Sequence, residues 1–239
     1  MHCTIERLEW DSNFFNMQVC KISGIMSDEL DTVAIAKALK KQQVNLVYYS
    51  SSLPLTNNCI NILQDYYILL VDKKTTYLKN IKGVYEIPGI IKAYDKNYPE
   101  DKLIKLAIES GLYSRFNIDP KIERAYFEEM YKTWIVNSVN KKIALEVLVA
   151  INEQTIAAFV TLGEKNARAD IGIIAVDANF RGKGIGRSLM FAAENWFKNS
   201  NYQLMQVVTQ GNNTAACKLY ESCGYKVEKL EYFYHLWLK

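Results

Sequence analysis

Residues 169–198 read ADIGIIAVDANFRGKGIGRSLMFAAENWFK, and the fold is decided here. Ala169–Val176 is a nearly continuous apolar run of strand length. Three glycines follow within Arg181-Gly182-Lys183-Gly184-Ile185-Gly186, a turn that side chains would obstruct. From Ile185 to Lys198, the apolar residues Ile185, Leu189, Ala192, Ala193 and Trp196 recur at helical spacing and give a helix one apolar face. A glycine-rich turn between strand and helix lets backbone N–H groups approach a ligand at the positive end of the helix dipole. Such a turn suits an anion, and phosphates in particular. Lys183, Arg181 and Arg187 add positive charge. Neither common phosphate loop fits: no Lys-Ser or Lys-Thr follows the glycines, and Arg187 stands where the dinucleotide fingerprint needs its third glycine. A turn whose glycines serve geometry alone remains open on this reading.

Working outward, Ala144–Ala150 and Thr155–Leu162 are further strand candidates, with Asn152-Glu153 marking a tight hairpin between them. Ile122–Val139 reads as an amphipathic helix, with Phe127, Met130, Tyr131 and Trp134 at i, i+3, i+4 and i+7. After the glycine turn and its helix come a strand at Leu204–Thr209, a short helix at Thr214–Cys223 and a final strand at Glu231–Leu238. The order β-β-β-α-β-α-β behind an opening helix predicts a mixed sheet with helices on both faces, in the α/β or α+β class. The first 95 residues have a different texture. They mix strand-like runs at Leu46–Tyr49 and Tyr66–Val71 with a helix at Asp28–Lys41 and loop signals at Ser50–Asn58. Pro88-Gly89 signals a turn, and the polar stretch Lys92–Glu100 reads as a boundary. Two parts are therefore expected, residues 1–95 and residues 101–239.

Composition narrows the function classes. Of 239 residues, 49% are apolar and 23% charged, which excludes a disordered, collagenous or disulfide-scaffold chain. Net charge is +3, too small to argue for a nucleic-acid partner. The cysteines (Cys3, Cys20, Cys59, Cys217, Cys223) are scattered and odd in number, and the two histidines are His2 and His235. Neither a metal site nor a disulfide framework is expected from that inventory. The opening MHCTIERLEWDSNFF carries charges where a signal peptide has an apolar run, and no stretch approaches the roughly 20 apolar residues of a membrane span. A cytoplasmic protein without membrane insertion is the expectation.

Strand, R-G-K-G-I-G, helix, strand and then Asn213, Ala216, Leu219, Tyr220, Gly224 and Tyr225, in the spacing N-x-x-A-x-x-L-Y-x-x-x-G-Y, resemble the GCN5-related N-acetyltransferases over residues 140–239. The resemblance implies a sheet splayed open at its centre and dependence on acetyl-CoA. A narrower resemblance rests on four sets of residues: Trp10–Phe15; Ser114-Arg115-Phe116; Phe127 with Trp134; and Val208-Thr209-Gln210. These look like the bacterial dTDP-fucosamine acetyltransferases, which acetylate the amine of a dTDP-linked amino-dideoxy sugar. In that group a smaller N-terminal α/β lobe contributes to the acceptor site.

The resemblance assigns roles residue by residue. Arg181, Gly182, Lys183, Gly184, Ile185 and Gly186 would wrap the pyrophosphate of coenzyme A, while the pantetheine arm would pair with Ile173, Ile174, Ala175 and Val176. A backbone N–H of that strand would face the thioester oxygen. Asn213 would reach the same arm, although it is also well placed to cap the helix that follows. Its triplet with Asn212 and Thr214 fits a glycosylation sequon, accidental in a cytoplasmic protein. Tyr220 would be the general acid toward the departing thiolate. Tyrosine is abundant, 16 of 239 residues, so motif position carries the assignment, and a merely packed aromatic is the alternative. For the base, Asp72 acting through water is expected, with Asp170 and Glu146 as competitors and a solvated turn as the plainer role for Asp72. Arg115 could hold a nucleotide-sugar pyrophosphate, or be a surface arginine. Tyr225, Phe127, Trp134, Trp10, Phe14 and Phe15 read as core, with stacking on a base as the alternative for Phe127 and Trp134.

The expected reaction is direct transfer, because nothing near Cys217 would activate its thiol. The expected acceptor is a small-molecule amine, a nucleotide-activated amino sugar, and a homodimer is compatible with the reading. Rival readings are another amine (protein N-terminus, polyamine or antibiotic) and a non-catalytic acyl-CoA-binding module.

Overall fold

The computed structural model describes residues 3–24, 26 and 29–239. In chain order the elements are β1 (Thr4–Arg7), α1 (Glu9–Phe15), β2 (Val19–Ser23), α2 (Glu29–Gln42), β3 (Leu46–Ser51), α3 (Asn57–Ile62), β4 (Tyr66–Asn80) and β5 (Ile91–Ala93). Then follow α4 (Asp101–Ser110), α5 (Arg115–Ile118), α6 (Arg124–Val139), β6 (Glu146–Asn152), β7 (Thr155–Lys165), β8 (Arg168–Val176), α7 (Ile185–Asn199), β9 (Leu204–Gln210), α8 (Thr214–Ser222) and β10 (Lys226–Leu238). They divide into two compact units, Met1–Lys74 with Leu230–Lys239, and Thr75–Lys229. The boundary expected between residues 95 and 101 falls inside the second unit, between β5 and α4.

In the first unit β2 runs parallel to β3, and β3 pairs antiparallel with β10 from Tyr232↔Ser51 to Trp237↔Leu46. Val47, Tyr49, Leu63, Tyr66 and Leu236 pack with Ile35 and Leu39 of α2 into one core. Trp10, expected in that core, is 46% exposed and stacks on Phe14 with 4.9 Å between ring centroids, while Phe15 is buried. Asp72 lies within β4, because the strand continues past the apolar run through Asp72 and two lysines instead of turning there. Of the expected helix at Asp28–Lys41, Asp28 lies outside the described residues, as does His2.

The second unit carries the order β9-β8-β7-β6-β5. The hairpin between β6 and β7 turns through Glu153 and Gln154, both at positive φ (49° and 65°), the geometry that matches the twist of the flanking strands. Strands β6 and β7 are buried on both faces. Val147 and Val149 meet Leu103, Leu106 and Ile135 of α4 and α6; Leu148 and Ala150 point the other way, into the cluster holding Leu189, Ala193 and Phe197 of α7. Parallel and antiparallel pairings thus coexist under helices on both faces, as the element order predicts. The strand pair β8–β9 is parallel over Ala169↔Met205, Asp170↔Gln206 and Ile171↔Val207 only, though the strands continue to Val176 and Gln210.

Candidate active site

Beyond Ile171 and Val207 the second unit opens into a cleft of about 990 Å³. Ile173–Val176 of β8 line one side, Val208–Gln210 of β9 another, and α7 and α8 present their N-terminal turns. Residues 173–176 are half-buried, unlike the buried central strands. Their main chain has a defined orientation. Val176, Ala175 and Ile174 face Ala158, Phe159 and Val160, and the Asp177 N–H donates to the Ala157 carbonyl at 2.9 Å. Antiparallel alternation therefore turns the N–H groups of Ala175 and Asp177 toward β7, and those of Ile174 and Val176 toward the cleft.

At one end of the cleft the chain leaves β8 through a 3₁₀ turn, Ala178–Phe180, capped by the Asp177 side chain at 2.8 Å from the Asn179 N–H. Lys102 of α4 pairs with the same carboxylate, and these two donors hold Asp177 below the ordinary carboxylate range. Arg181 then folds back, its Nε donating to the Val176 carbonyl at 2.9 Å. Gly182 and Gly184 take φ of +76° and +80°, where a side chain would be strained, and nothing lies within 4 Å of where their Cβ atoms would be. Gly184 caps the 15-residue α7 without any side-chain hydrogen bond, so the first N–H groups of that helix have neither an intrahelical nor a cap side-chain acceptor. A Cβ at Gly186 would sit 3.4 Å from the Leu219 and Val176 side chains, an ordinary packing distance. Arg181, Gly182, Gly184, Ile185, Gly186 and Arg187 line the cleft; Lys183 does not, its ammonium lying 5.1 Å over the Phe180 ring. Open glycines, an uncapped helix start and two arginines fit a diphosphate.

Tyr220 reaches the cleft from α8 although only 3% exposed. Its ring packs against Tyr77 and Tyr225, at 5.7 and 6.1 Å between centroids. Burial pushes its phenol well above the ordinary range, with Cys217 and Cys223 adding to the rise, so it is protonated at neutral pH. Asn213 also lines the cleft, and its side chain accepts the Ala216 N–H at 3.2 Å, the capping role that its position suggests.

The cleft is also walled by the end of α4 and by α6. Leu112 and Tyr113 are exposed there, beside Tyr131 and Trp134, whose rings meet at 4.9 Å. Trp134 is thus a half-buried wall residue and not core, whereas Phe127 is fully buried as expected. The pocket's acidic groups are Glu109 and Asp170, and its lysine is Lys165. Burial pushes the Asp170 carboxyl up, partly offset by a hydrogen bond from the Gln206 side chain at 2.8 Å and by Lys165. Arg115 is not among the lining residues; its guanidinium lies 4.2 Å over the Phe116 ring. Asp72 belongs to the first unit, and Glu146 pairs with Lys141 away from the lining. Of the wall residues, Glu109, Leu112 and Tyr113 were missed from the sequence because α4 was, although Leu103, Leu106 and Ala107 carry its helical spacing.

The sequence profile described as the Acetyltransferase (GNAT) family matches residues 106–225. A dTDP-fucosamine acetyltransferase of Escherichia coli O6:H1 is 26% identical over 235 residues, covering 98% of both chains. The spore coat polysaccharide biosynthesis protein SpsD of Bacillus subtilis is 26% identical over 137 residues, 57% of this chain and 47% of that protein, so the match spans about half of that relative's length. Among solved structures, a GCN5-related N-acetyltransferase from Sphaerobacter thermophilus superposes with a TM-score of 0.59 at 13% identity, over 98% of this chain and 76% of that one. Among the described residues, no helix is long and apolar enough to cross a membrane.

Proposed function

The chain belongs to the acetyltransferase (GNAT) family, and from that premise we propose that it moves an acetyl group from acetyl-CoA to the amine of a nucleotide-linked amino-dideoxy sugar. One observation carries the reading: an opened β8 edge, a glycine-rich, uncapped helix start and a buried phenol line one cleft. The full-length similarity to a dTDP-fucosamine acetyltransferase supports the acceptor.

Acetyl-CoA supplies an acyl group already activated as a thioester. The N–H groups at the start of α7, with Arg181 and Arg187, hold its pyrophosphate. The N–H groups of Ile174 and Val176 pair with the pantetheine arm as a short added strand would, and Asn213 borders the same arm. Asp170 takes a proton from the acceptor ammonium, leaving a neutral amine to attack. We assign this role to Asp170 over Asp72 because Asp170 lines the cleft. Tyr220 donates a hydrogen bond to the departing sulfur and finally its proton, which is replaced by the proton that the attacking nitrogen sheds as the tetrahedral intermediate collapses to amide and thiol. Lys165, in place of Arg115, is the cation offered to the acceptor's phosphates, and Tyr113 and Trp134 offer flat surfaces to its ring systems.

Purified protein should release free thiol from acetyl-CoA with dTDP-4-amino-4,6-dideoxy sugars and show little or no release with polyamines, peptide N-termini or aminoglycosides. Turnover of one of the latter, with all nucleotide sugars inert, would overturn the acceptor assignment. An absence of any coenzyme A binding heat would overturn the reaction class.

A further inference from the structure

The ladder between β7 and β8 slips register once. Val160 faces Ile174 but Leu162 faces Ile171, so Gly172 and Ile173 together stand opposite the single residue Thr161. Two residues against one is a β-bulge, which bends the bulged strand and increases its twist. Thr161 is buried, and its Oγ1 accepts the Ile173 N–H at 2.8 Å. The same oxygen lies 2.7 Å from where a Cβ on residue 172 would sit. One hydroxyl therefore does two things. It fills the space that a side chain at 172 would need, and it accepts the hydrogen bond of the extra residue's N–H. The slip coincides with the parting of the sheet, since the last β8–β9 pair is Ile171↔Val207. Asp170 lies on the paired side of the slip and the main chain of Ile174–Val176 on the parted side.

We infer that Thr161 and Gly172 are a matched positioning pair that sets where β8 leaves β9, and so aims the Ile174–Val176 main chain at the acyl donor. Glycine inside a strand weakens it and commonly marks a bulge or a close approach; here the β-branched, buried Thr161 has little freedom to yield to a larger residue. The inference rests on the acyl-transfer reading above and adds two residues that line the same cleft and act there by shaping the strand.

Four variants decide it, each measured for kcat, KM for acetyl-CoA, coenzyme A affinity by calorimetry and Tm. Thr161→Ser keeps the oxygen and should stay within about twofold of the parent in kcat/KM, as displacement of the strand is avoided. Thr161→Val keeps the volume but removes the acceptor, and should lower kcat/KM for acetyl-CoA about tenfold or more through misplacement of the β8 main chain. Gly172→Ala should lose as much, because its methyl collides with the hydroxyl. In the double variant Thr161→Ala with Gly172→Ala the new methyl occupies the vacated space. Its Tm should recover above that of Gly172→Ala while kcat/KM stays low. If the parent turns over and Thr161→Val matches it in kcat, KM and affinity, this inference alone falls. If the parent itself neither binds coenzyme A nor releases thiol, the acyl-transfer reading falls and takes this inference with it.

Discussion

Replacing Tyr220 by phenylalanine isolates a single hydroxyl. The ring is packed between Tyr77 and Tyr225, so the change removes no aromatic packing and opens no cavity larger than one oxygen. The magnitude follows from acidity. An ordinary phenol titrates near 10 and a thiol near 8.5, so complete transfer to the thiolate is uphill by about 1.5 units, or ~2 kcal/mol. Burial raises the Tyr220 phenol further, which widens that gap. Full transfer therefore does not drive bond breaking; a charge-assisted hydrogen bond to the developing thiolate does, worth about 1.5–3 kcal/mol. Loss of that bond should reduce kcat by roughly 10- to 150-fold. The neutral thioester sulfur is a poor acceptor, so coenzyme A affinity should be unchanged. Thiol release at saturating acetyl-CoA and calorimetry on the same preparation measure both quantities. Because the phenol stays protonated past its usual range, kcat should also show no descending limb attributable to Tyr220 between pH 8 and about 10. A fall of less than threefold, or a parallel loss of coenzyme A affinity, would refute the reasoning.

Asp170→Asn should cut kcat/KM by about 10²- to 10⁴-fold, and it should stabilise the fold. The folded carboxyl has a raised pKa, so its charged form opposes folding above that pKa and the penalty fades as pH falls through it. The Tm gain of the variant should thus be largest at pH 7–8 and shrink toward pH 4, and a lower Tm at pH 8 would contradict this. In the parent, the acid limb of kcat/KM should lie above the ordinary 3.8, and the variant should lack it. Gly184→Ala places a side chain at φ +80° and should cost about 1–2 kcal/mol. Differential scanning calorimetry should show a Tm lower by a few degrees with a raised KM for acetyl-CoA, and Gly184→Asn should lose less. Lys79→Met strips the partner from Glu194, whose side chain is 1% exposed and 2.5 Å from the ammonium. A buried carboxylate that loses its cation costs ~3–5 kcal/mol, and Tm should drop by roughly 10 °C. A drop under about 2 °C would show that the Lys82 N–H and the Tyr85 hydroxyl suffice for Glu194.

Much of the second unit was legible because its signals are local. Apolar runs, helical spacing and the glycine turn lie within a few residues of one another, so β8, α7, β9 and α8 emerged close to their observed bounds. Elements without such contrast were lost. Strand β10 begins at Lys226, but its first five residues are exposed and show no alternation, which leaves only Glu231–Leu238 visible in the sequence. Trp10 looked like core because aromatic residues are usually buried; its partner is one turn away on the same short helix. The cleft was half legible. The glycines, the Asn213 cap and Tyr220 sit in spaced motifs, whereas ranking Asp170 above Asp72 required knowing which carboxylate lines the opening. The Thr161–Gly172 relation spans two strands and a register slip, and no pattern along one strand encodes it.

The pairing of β10 with β3 makes residues 230–239 part of the unit that residues 1–74 begin, with the whole acyltransferase unit spliced between them. A nascent chain leaving the ribosome therefore carries an unfinished β3 edge, open to wrong partners, until everything up to Trp237 has been synthesised. Clipping ten residues from the tail would for the same reason injure the amino-terminal lobe first.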